Sequence, residues 1–166
     1  MHKKGETDTD MTYYFADLYD AAELGDIELV KKIVTKQPEL LHGKDEYEFS
    51  VLHGAVMTDD VDLIAYLVAQ GADVHAKNDE GITPLHIALY PEVAEALIAH
   101  GADIHASAHD GSTPLHTQVA DGEERVDVVE LLLAKGANPN KKDMEGQTPY
   151  DIAREREDEE MMALFE

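Results

Sequence analysis

The sequence predicts an all-α protein of about five stacked helix-turn-helix units with short β-turn fingers, and repetition is the reason. One phrase, TPLH or a relative of it (SVLH, TPYD), begins at four positions: Ser50, Thr83, Thr113 and Thr148. A second phrase, GADVHA or a relative, follows three of them, from Gly71, Gly101 and Gly136. The steps between successive Ser or Thr positions are 33, 30 and 35 residues. A fixed order at such a period indicates stacked structural repeats.

Each repeated phrase carries local signals for two helices. The Thr of TPLH can cap a helix, and the Pro after it occupies the first helical position, where a missing N–H costs nothing. A second segment with helical apolar periodicity follows, for example over residues 61–68 and 126–133. The glycine of the GADVHA phrase supplies the left-handed residue that ends it. Polar stretches such as residues 78–81 and 109–111 predict tight turns between units.

These phrases and their spacing resemble the ankyrin-repeat family, over residues 15 to 166. The resemblance implies a single domain over residues 13–166, with repeats at about 15–45, 46–78, 79–108, 109–143 and 144–166. The first unit lacks TPLH but keeps a second helix over residues 26–36, so we expect it to be the N-terminal cap. We expect the last unit to end on a charge-rich helix over residues 154–160 as the C-terminal cap. Residues 1–12 are polar and aperiodic, which predicts a disordered leader.

Three units depart from the family pattern. The third is three residues short where Tyr90-Pro91 stands, which predicts a clipped first helix. The fourth unit is two residues longer than the family pattern at the same place, and residues 121–124 there predict an acidic projection. In the second unit Glu48 replaces the turn glycine, so we expect a distorted turn or a different turn type.

The amino-acid composition argues against some classes of partner and favours another. With 36 acidic and 13 basic residues the formal net charge is −23, which argues against nucleic acid and anionic membranes as partners. The same charge favours a protein with a basic surface, although solubility alone also explains it. The chain has no cysteine, so disulfides are excluded, and we expect a cytoplasmic protein that is a monomer on its own.

The resemblance also implies where a partner docks, on the concave side formed by the fingers and the exposed side of each first helix. The positions in this chain that match are Asp45, Glu46, Tyr47, Phe49, Asp79, Glu80, Ile82, His109, Asp110 and Ser112 in the fingers, and Met57 and Tyr90 at helix positions. Aromatic and Met side chains among carboxylates suit the centre and rim of an interface. The alternative for Phe49 and Ile82 is that they pack inward.

Nine histidines raise the question of a metal site. The resemblance implies that the three in the TPLH position (His53, His86 and His116) tie neighbouring turns together by hydrogen bonds. His75 and His105 hold matching positions in adjacent units, but stacked helices lie about 8–10 Å apart. Zinc needs every ligand nitrogen about 2.0–2.1 Å from one ion. We therefore expect no metal and no cofactor.

The sequence thus predicts a non-catalytic interaction module that binds a basic protein through an acidic concave surface. Its small size and charge resemble immunity-type inhibitors that neutralise toxins. Two alternatives stay open: a general scaffold, adaptor or host-directed effector, and an enzyme that uses His109 as a base oriented by Asp110. No GxxxxGK, GxSxG or HExxH motif is present, which argues against the enzyme.

Overall fold

Helix pairs make up the protein, as predicted. The computed structural model describes residues 11–166, so nearly all of the predicted leader lies outside the described residues. No strand is assigned within the described range, and its α-helices are α1 (Phe15–Glu23), α2 (Ile27–Lys36), α3 (Val51–Ala55), α4 (Val61–Ala69), α5 (Pro84–Ile87), α6 (Pro91–Ala99), α7 (Pro114–Asp121), α8 (Val126–Ala134), α9 (Pro149–Glu155) and α10 (Glu159–Ala163). Two short 3-10 segments accompany them, Pro38–His42 and Glu123–Arg125.

The helices stack in two layers. The first helices of the units pack in order, α1 on α3, α3 on α5, α5 on α7 and α7 on α9, while α4, α6 and α8 do the same among the second helices. Leucines fill the interior between the layers and are fully buried: Leu18, Leu52, Leu63, Leu67, Leu85, Leu97, Leu115 and Leu132. Burying each contributes about 1.5–3 kcal/mol. A core of this kind is shared between neighbours, so no unit is stable alone.

Side-chain caps fix where the second helices begin. The carboxylates of Asp26, Asp60 and Asp158 each accept a hydrogen bond from the backbone N–H three residues on, at 3.0, 3.0 and 2.9 Å. In the third unit Tyr90 takes this place, and Pro91 follows at the first helical position. Gly71, with φ of 106°, ends the second helix of its unit as predicted.

The irregular third unit has the clipped first helix that the sequence predicts, since α5 has only four residues. The missing residues change the role of Tyr90, which begins the second helix instead of lying on the first. Met57 lies two residues beyond α3 and is half-buried. The prediction that both lie on exposed helix positions is therefore wrong in this detail, although Tyr90 is 40% exposed.

Two local predictions are corrected. Glu48 does not distort its turn: it adopts φ of 63°, and its N–H donates to the Asp45 carbonyl at 3.1 Å, as Gly81 does to Asn78 at 3.0 Å. The Asp45 carboxylate, which accepts the N–H groups of Tyr47 and Phe49 at 2.9 and 2.8 Å, holds the turn in this form. The charge-rich segment over residues 154–160 is not one helix, because Glu157 has φ of 56° and separates α9 from α10.

The helices are short. The longest in the described part of the chain has ten residues, about half of what a bilayer crossing requires. None of the helices described is therefore able to span a membrane.

Candidate functional site: the finger ridge

Four tight turns project from the helix layers at regular intervals. We call them fingers one to four and together the finger ridge: residues 45–49, 78–82, 108–112 and 143–147. In each, the N–H of the fourth residue donates to the carbonyl of the first, at 3.1, 3.0, 3.0 and 3.1 Å. The side-chain oxygens of Asp45, Asn78 and Asp143 each accept two further N–H groups of their own finger at 2.8–3.0 Å. The short polar side chains at the finger bases therefore hold the turns rigid.

Backbone hydrogen bonds join each finger to the previous one. The N–H of Asp79 donates to the Tyr47 carbonyl at 3.0 Å, and the N–H of His109 donates to the Glu80 carbonyl at 2.9 Å. Met144 repeats the bond to Asp110 at 2.9 Å. The four fingers thus form one continuous ladder whose exposed side chains have fixed relative positions.

Histidines fasten the ladder to the helices, as predicted. The Nε2 atoms of His53, His86 and His116 lie 2.9, 3.1 and 3.0 Å from a backbone carbonyl in the next finger. The Nδ1 atom of His86 accepts the N–H of Thr83 at 3.1 Å, so the proton sits on Nε2 and the ring is neutral. Burial lowers the pKa of His86 to about 4 and also lowers the pKa of His53. These histidines are structural, since each holds one unit to the next.

The predicted partner-binding residues differ in how far their side chains are exposed to solvent. Exposed ones at the finger tips are Glu46, Tyr47, Asp79, Glu80, His109 and Asp110. Asp45, Phe49 and Ile82 are half-buried, and the Phe49 ring packs edge-on against His53 with centroids 5.2 Å apart. Ser112 is only 8% exposed, and its carbonyl accepts the His86 bond. The tips and not the finger bases offer surface to a partner.

The fourth finger adds two exposed residues that the sequence interpretation missed. Met144 is 79% exposed, and Glu145 beside it is also exposed. A signal for them exists, because Met144 precedes Thr148 by four residues just as His109 precedes Thr113. Applying this spacing to the fourth finger would have predicted Met144 and Glu145 as exposed tip residues.

Most of the tip carboxylates have no ion-pair partner among the described residues. Among the described residues no ion pair involves Glu46, Asp79, Glu80 or Glu145, and the one pair in the ridge joins Lys44 to Glu48 at 3.8 Å. The Asp110 carboxylate instead accepts the Ser112 N–H at 2.8 Å, and this bond lowers its pKa. The ridge therefore carries uncompensated negative charge.

The geometry can be compared with two arrangements considered from the sequence, a catalytic pair of His109 with Asp110 and a metal site. Within residues 11–166 no hydrogen bond links the His109 ring to Asp110, whose carboxylate is turned to Ser112. Over the same residues no group of three or more His, Asp or Glu side chains is placed to hold a metal ion. The Asp110 carboxylate is thus not placed to orient the His109 ring within this part of the chain.

An open cavity of about 490 Å³ lies beneath the first three fingers. Its wall includes Lys44, Lys77, Asp79 and His109 together with the loop at Asp73 and His75. The Lys44 ammonium donates to the Lys77 carbonyl at 2.9 Å, and the Lys77 ammonium donates to the Ser107 carbonyl at 3.1 Å. These lysines hold adjacent loops together by hydrogen bonds. We therefore attribute the cavity to the way in which neighbouring units stack.

Stacked helix pairs, an interior shared between neighbours and a ladder of turn fingers define a repeat solenoid. The family model for ankyrin repeats (three copies) matches residues 18–108 and 90–165. The chain belongs to the ankyrin-repeat family. Its repeats mark it as a protein–protein interaction module.

Several known proteins share this repeat array. The chain is 31% identical to the human transient receptor potential cation channel subfamily A member 1, over 98% of this chain and 15% of that protein. It is 35% identical over 71 residues to alpha-latrocrustotoxin-Lt1a of Latrodectus tredecimguttatus, which covers 43% of this chain and 5% of the toxin. Protein phosphatase 1 regulatory subunit 27 of Mus musculus is 35% identical over 47% of this chain and 53% of its own length. The chain thus spans between a twentieth and about half of these relatives.

Proposed function

We propose that the finger ridge binds a protein with a basic surface and that the chain acts without catalysis. The observation that carries this proposal is the row of exposed tip carboxylates on fingers one to three, which lack ion-pair partners among the described residues. Surfaces of one sign speed the encounter with an oppositely charged partner and suppress wrong partners.

Rigidity of the ridge supports the same conclusion. Because backbone bonds at 2.9–3.0 Å lock every finger to the next, little conformational entropy is lost when a partner docks. Exposed Tyr47 and Met144 provide apolar contact area next to the carboxylates. Aromatic side chains in such places supply much of the binding energy.

The consequence for the partner is proposed to be inhibition, of the kind shown by small immunity-type proteins that cover a basic site on a toxin. A regulatory role is also consistent with the similarity to a protein named as a regulatory subunit of protein phosphatase 1. The cysteine-free composition supports a reducing, cytoplasmic setting, and self-repulsion at a net charge of −23 supports a monomer.

Affinity capture from an extract of the source organism tests the proposal. The wild type serves as bait beside a variant carrying Asp79→Lys and Glu80→Lys. We expect mass spectrometry to identify a basic protein that the wild type retains and this variant loses. Its association rate, measured by surface plasmon resonance, is expected to fall as ionic strength rises, while dissociation changes less.

A matched control separates the ridge from overall charge. Asp62→Lys with Asp127→Lys changes the net charge equally but alters exposed residues near the starts of α4 and α8. This control is expected to retain the partner. Equal losses from both variants, or no protein that distinguishes the wild type from the finger variant, would refute binding through the ridge.

A further inference from the structure

The two ends of the finger ridge differ from its middle. Tyr47 in finger one is 56% exposed, and Met144 in finger four is 79% exposed. Between them, fingers two and three expose no large apolar side chain at their tips: Asp79, Glu80, His109 and Asp110 stand there. The ridge therefore presents an apolar contact at each end, next to Glu46 and Glu145, and only polar or charged tips between them.

Unpaired backbone groups mark the same two ends. In the middle of the ladder every finger donates one N–H to the preceding finger and offers one carbonyl to the next. At the first finger the equivalent N–H of Glu46 has no hydrogen-bond partner within the described residues, and at the fourth finger the same is true of the Glu145 carbonyl. Each end thus combines an exposed apolar side chain with a backbone group that is free to bond.

The span between the ends sets the size of what could contact both. Three steps of about 8–10 Å between stacked units separate finger one from finger four by about 24–30 Å. An extended chain covers that distance in about seven to nine residue steps at roughly 3.3 Å each. A helix needs about 16–20 residues for the same span, at 1.5 Å each, so an extended segment is the shorter solution.

We propose that the partner inserts an extended, Lys- or Arg-rich segment that lies along the ridge, with one apolar side chain against Tyr47 and another against Met144. The basic side chains between them face the carboxylates of Asp79, Glu80 and Asp110. The N–H of Glu46 and the carbonyl of Glu145 point off the two ends of the ladder, so the backbone of the segment bonds to them only where it extends past Tyr47 and Met144. This inference rests on the proposed function and names the form in which the partner presents its charge.

Selection from a phage-displayed library of random twelve-residue peptides tests the proposal, with the immobilised wild-type chain as bait. We expect enriched peptides to carry two apolar residues about seven to nine positions apart with Lys or Arg between them. A failure to enrich any peptide overturns the proposal. So does enrichment of peptides whose apolar residues are adjacent or whose central positions are uncharged.

Affinities of one selected peptide, measured by fluorescence anisotropy, locate its two ends. Tyr47→Ser and Met144→Ser are each expected to weaken binding at least about fivefold, the loss that marks a significant contact. Tyr14→Ser and Leu24→Ser remove equally exposed side chains outside the ridge and are expected to leave affinity unchanged. Equal affinities for all four variants would place the peptide elsewhere.

The two proposals fail in different ways. If the captured basic protein requires Asp79 and Glu80 but the library gives no peptide, the partner binds the ridge through a folded surface, and only the extended segment is refuted. If no protein distinguishes the wild type from the Asp79→Lys, Glu80→Lys variant, the proposed function itself is refuted.

Discussion

The side-chain amide nitrogen of Gln118 lies 2.9 Å from the carbonyl oxygen of His86, and so joins the fourth unit to the third. The same nitrogen lies 3.0 Å from the Ala88 carbonyl. Both carbonyls lie at the end of α5, where three missing residues leave no further helical turn to donate to them. The matching positions in the other units hold Ala55, Ala88 and Ala153. The glutamine therefore replaces an alanine, and its amide group donates to the carbonyls at the end of the shortened helix.

Replacing this glutamine tests that relationship. Gln118→Leu keeps the buried volume but leaves two carbonyls without their donor, so we expect a loss of about 1–3 kcal/mol in the free energy of unfolding. Urea denaturation measures it. Inserting three residues after Leu89 should restore the missing turn and reduce the cost of Gln118→Leu. The same cost in both backgrounds would show that the glutamine does not compensate for the short helix.

Glu48 offers a test of backbone strain. Because its φ is 63°, Glu48→Gly is expected to relieve left-handed strain of about 1–2 kcal/mol. Part of that gain is offset by about 0.5–1 kcal/mol of added freedom in the unfolded chain. The net expectation is a stabilisation of up to about 1.5 kcal/mol, seen as a higher urea midpoint. Glu46→Gly, in the same finger but without positive φ, should stabilise nothing, and a gain there would refute the strain argument.

We expect acid to lower the free energy of unfolding because His86 is buried in its neutral form. Its pKa is lowered to about 4 in the folded state, against about 6.5 in an unfolded chain. Above pH 6.5 its contribution is complete, and as the pH falls toward 4 only the unfolded state takes up a proton. Stability should therefore fall by about 2 kcal/mol between pH 7 and pH 5 from this group, and His53 adds to it in the same direction.

The control for pH dependence is a histidine in another setting. Urea melts of His86→Gln should show a shallower loss between pH 7 and pH 5 than the wild type, whereas His100→Gln, which removes an exposed ring, should follow the wild type. Parallel curves for all three proteins would assign the acid sensitivity to other groups.

Core leucines should show how far the units share stability. Leu85→Ala and Leu115→Ala each remove a fully buried side chain, so each is expected to cost about 2–5 kcal/mol. Leu24→Ala, at a position 81% exposed, should cost far less. Calorimetric or urea unfolding provides the comparison, and a neutral Leu85→Ala would contradict the shared interior.

Local signals along the chain are enough to predict the repeats and the residues that begin, end and fill them. Thr83-Pro84 begins a helix and Gly71 ends one because these signals act within a few residues of the chain. The clipped first helix of the third unit is also predictable, since a deletion is visible in the spacing. So are the tip positions of fingers one to three, because register fixes them.

The contacts between units beside Glu48 and at Gln118 could not be predicted from the sequence and became visible in the folded protein. Beside the glycine-like turn at Glu48, the N–H of Asp79 donates to the carbonyl of Tyr47 at 3.0 Å, a bond between residues 32 apart. Gln118 reaches the His86 carbonyl across the same separation. Local propensity does not encode such pairings, because their energy exists only after the units have stacked. The chain thus specifies each unit locally, and stacking selects which polar groups meet.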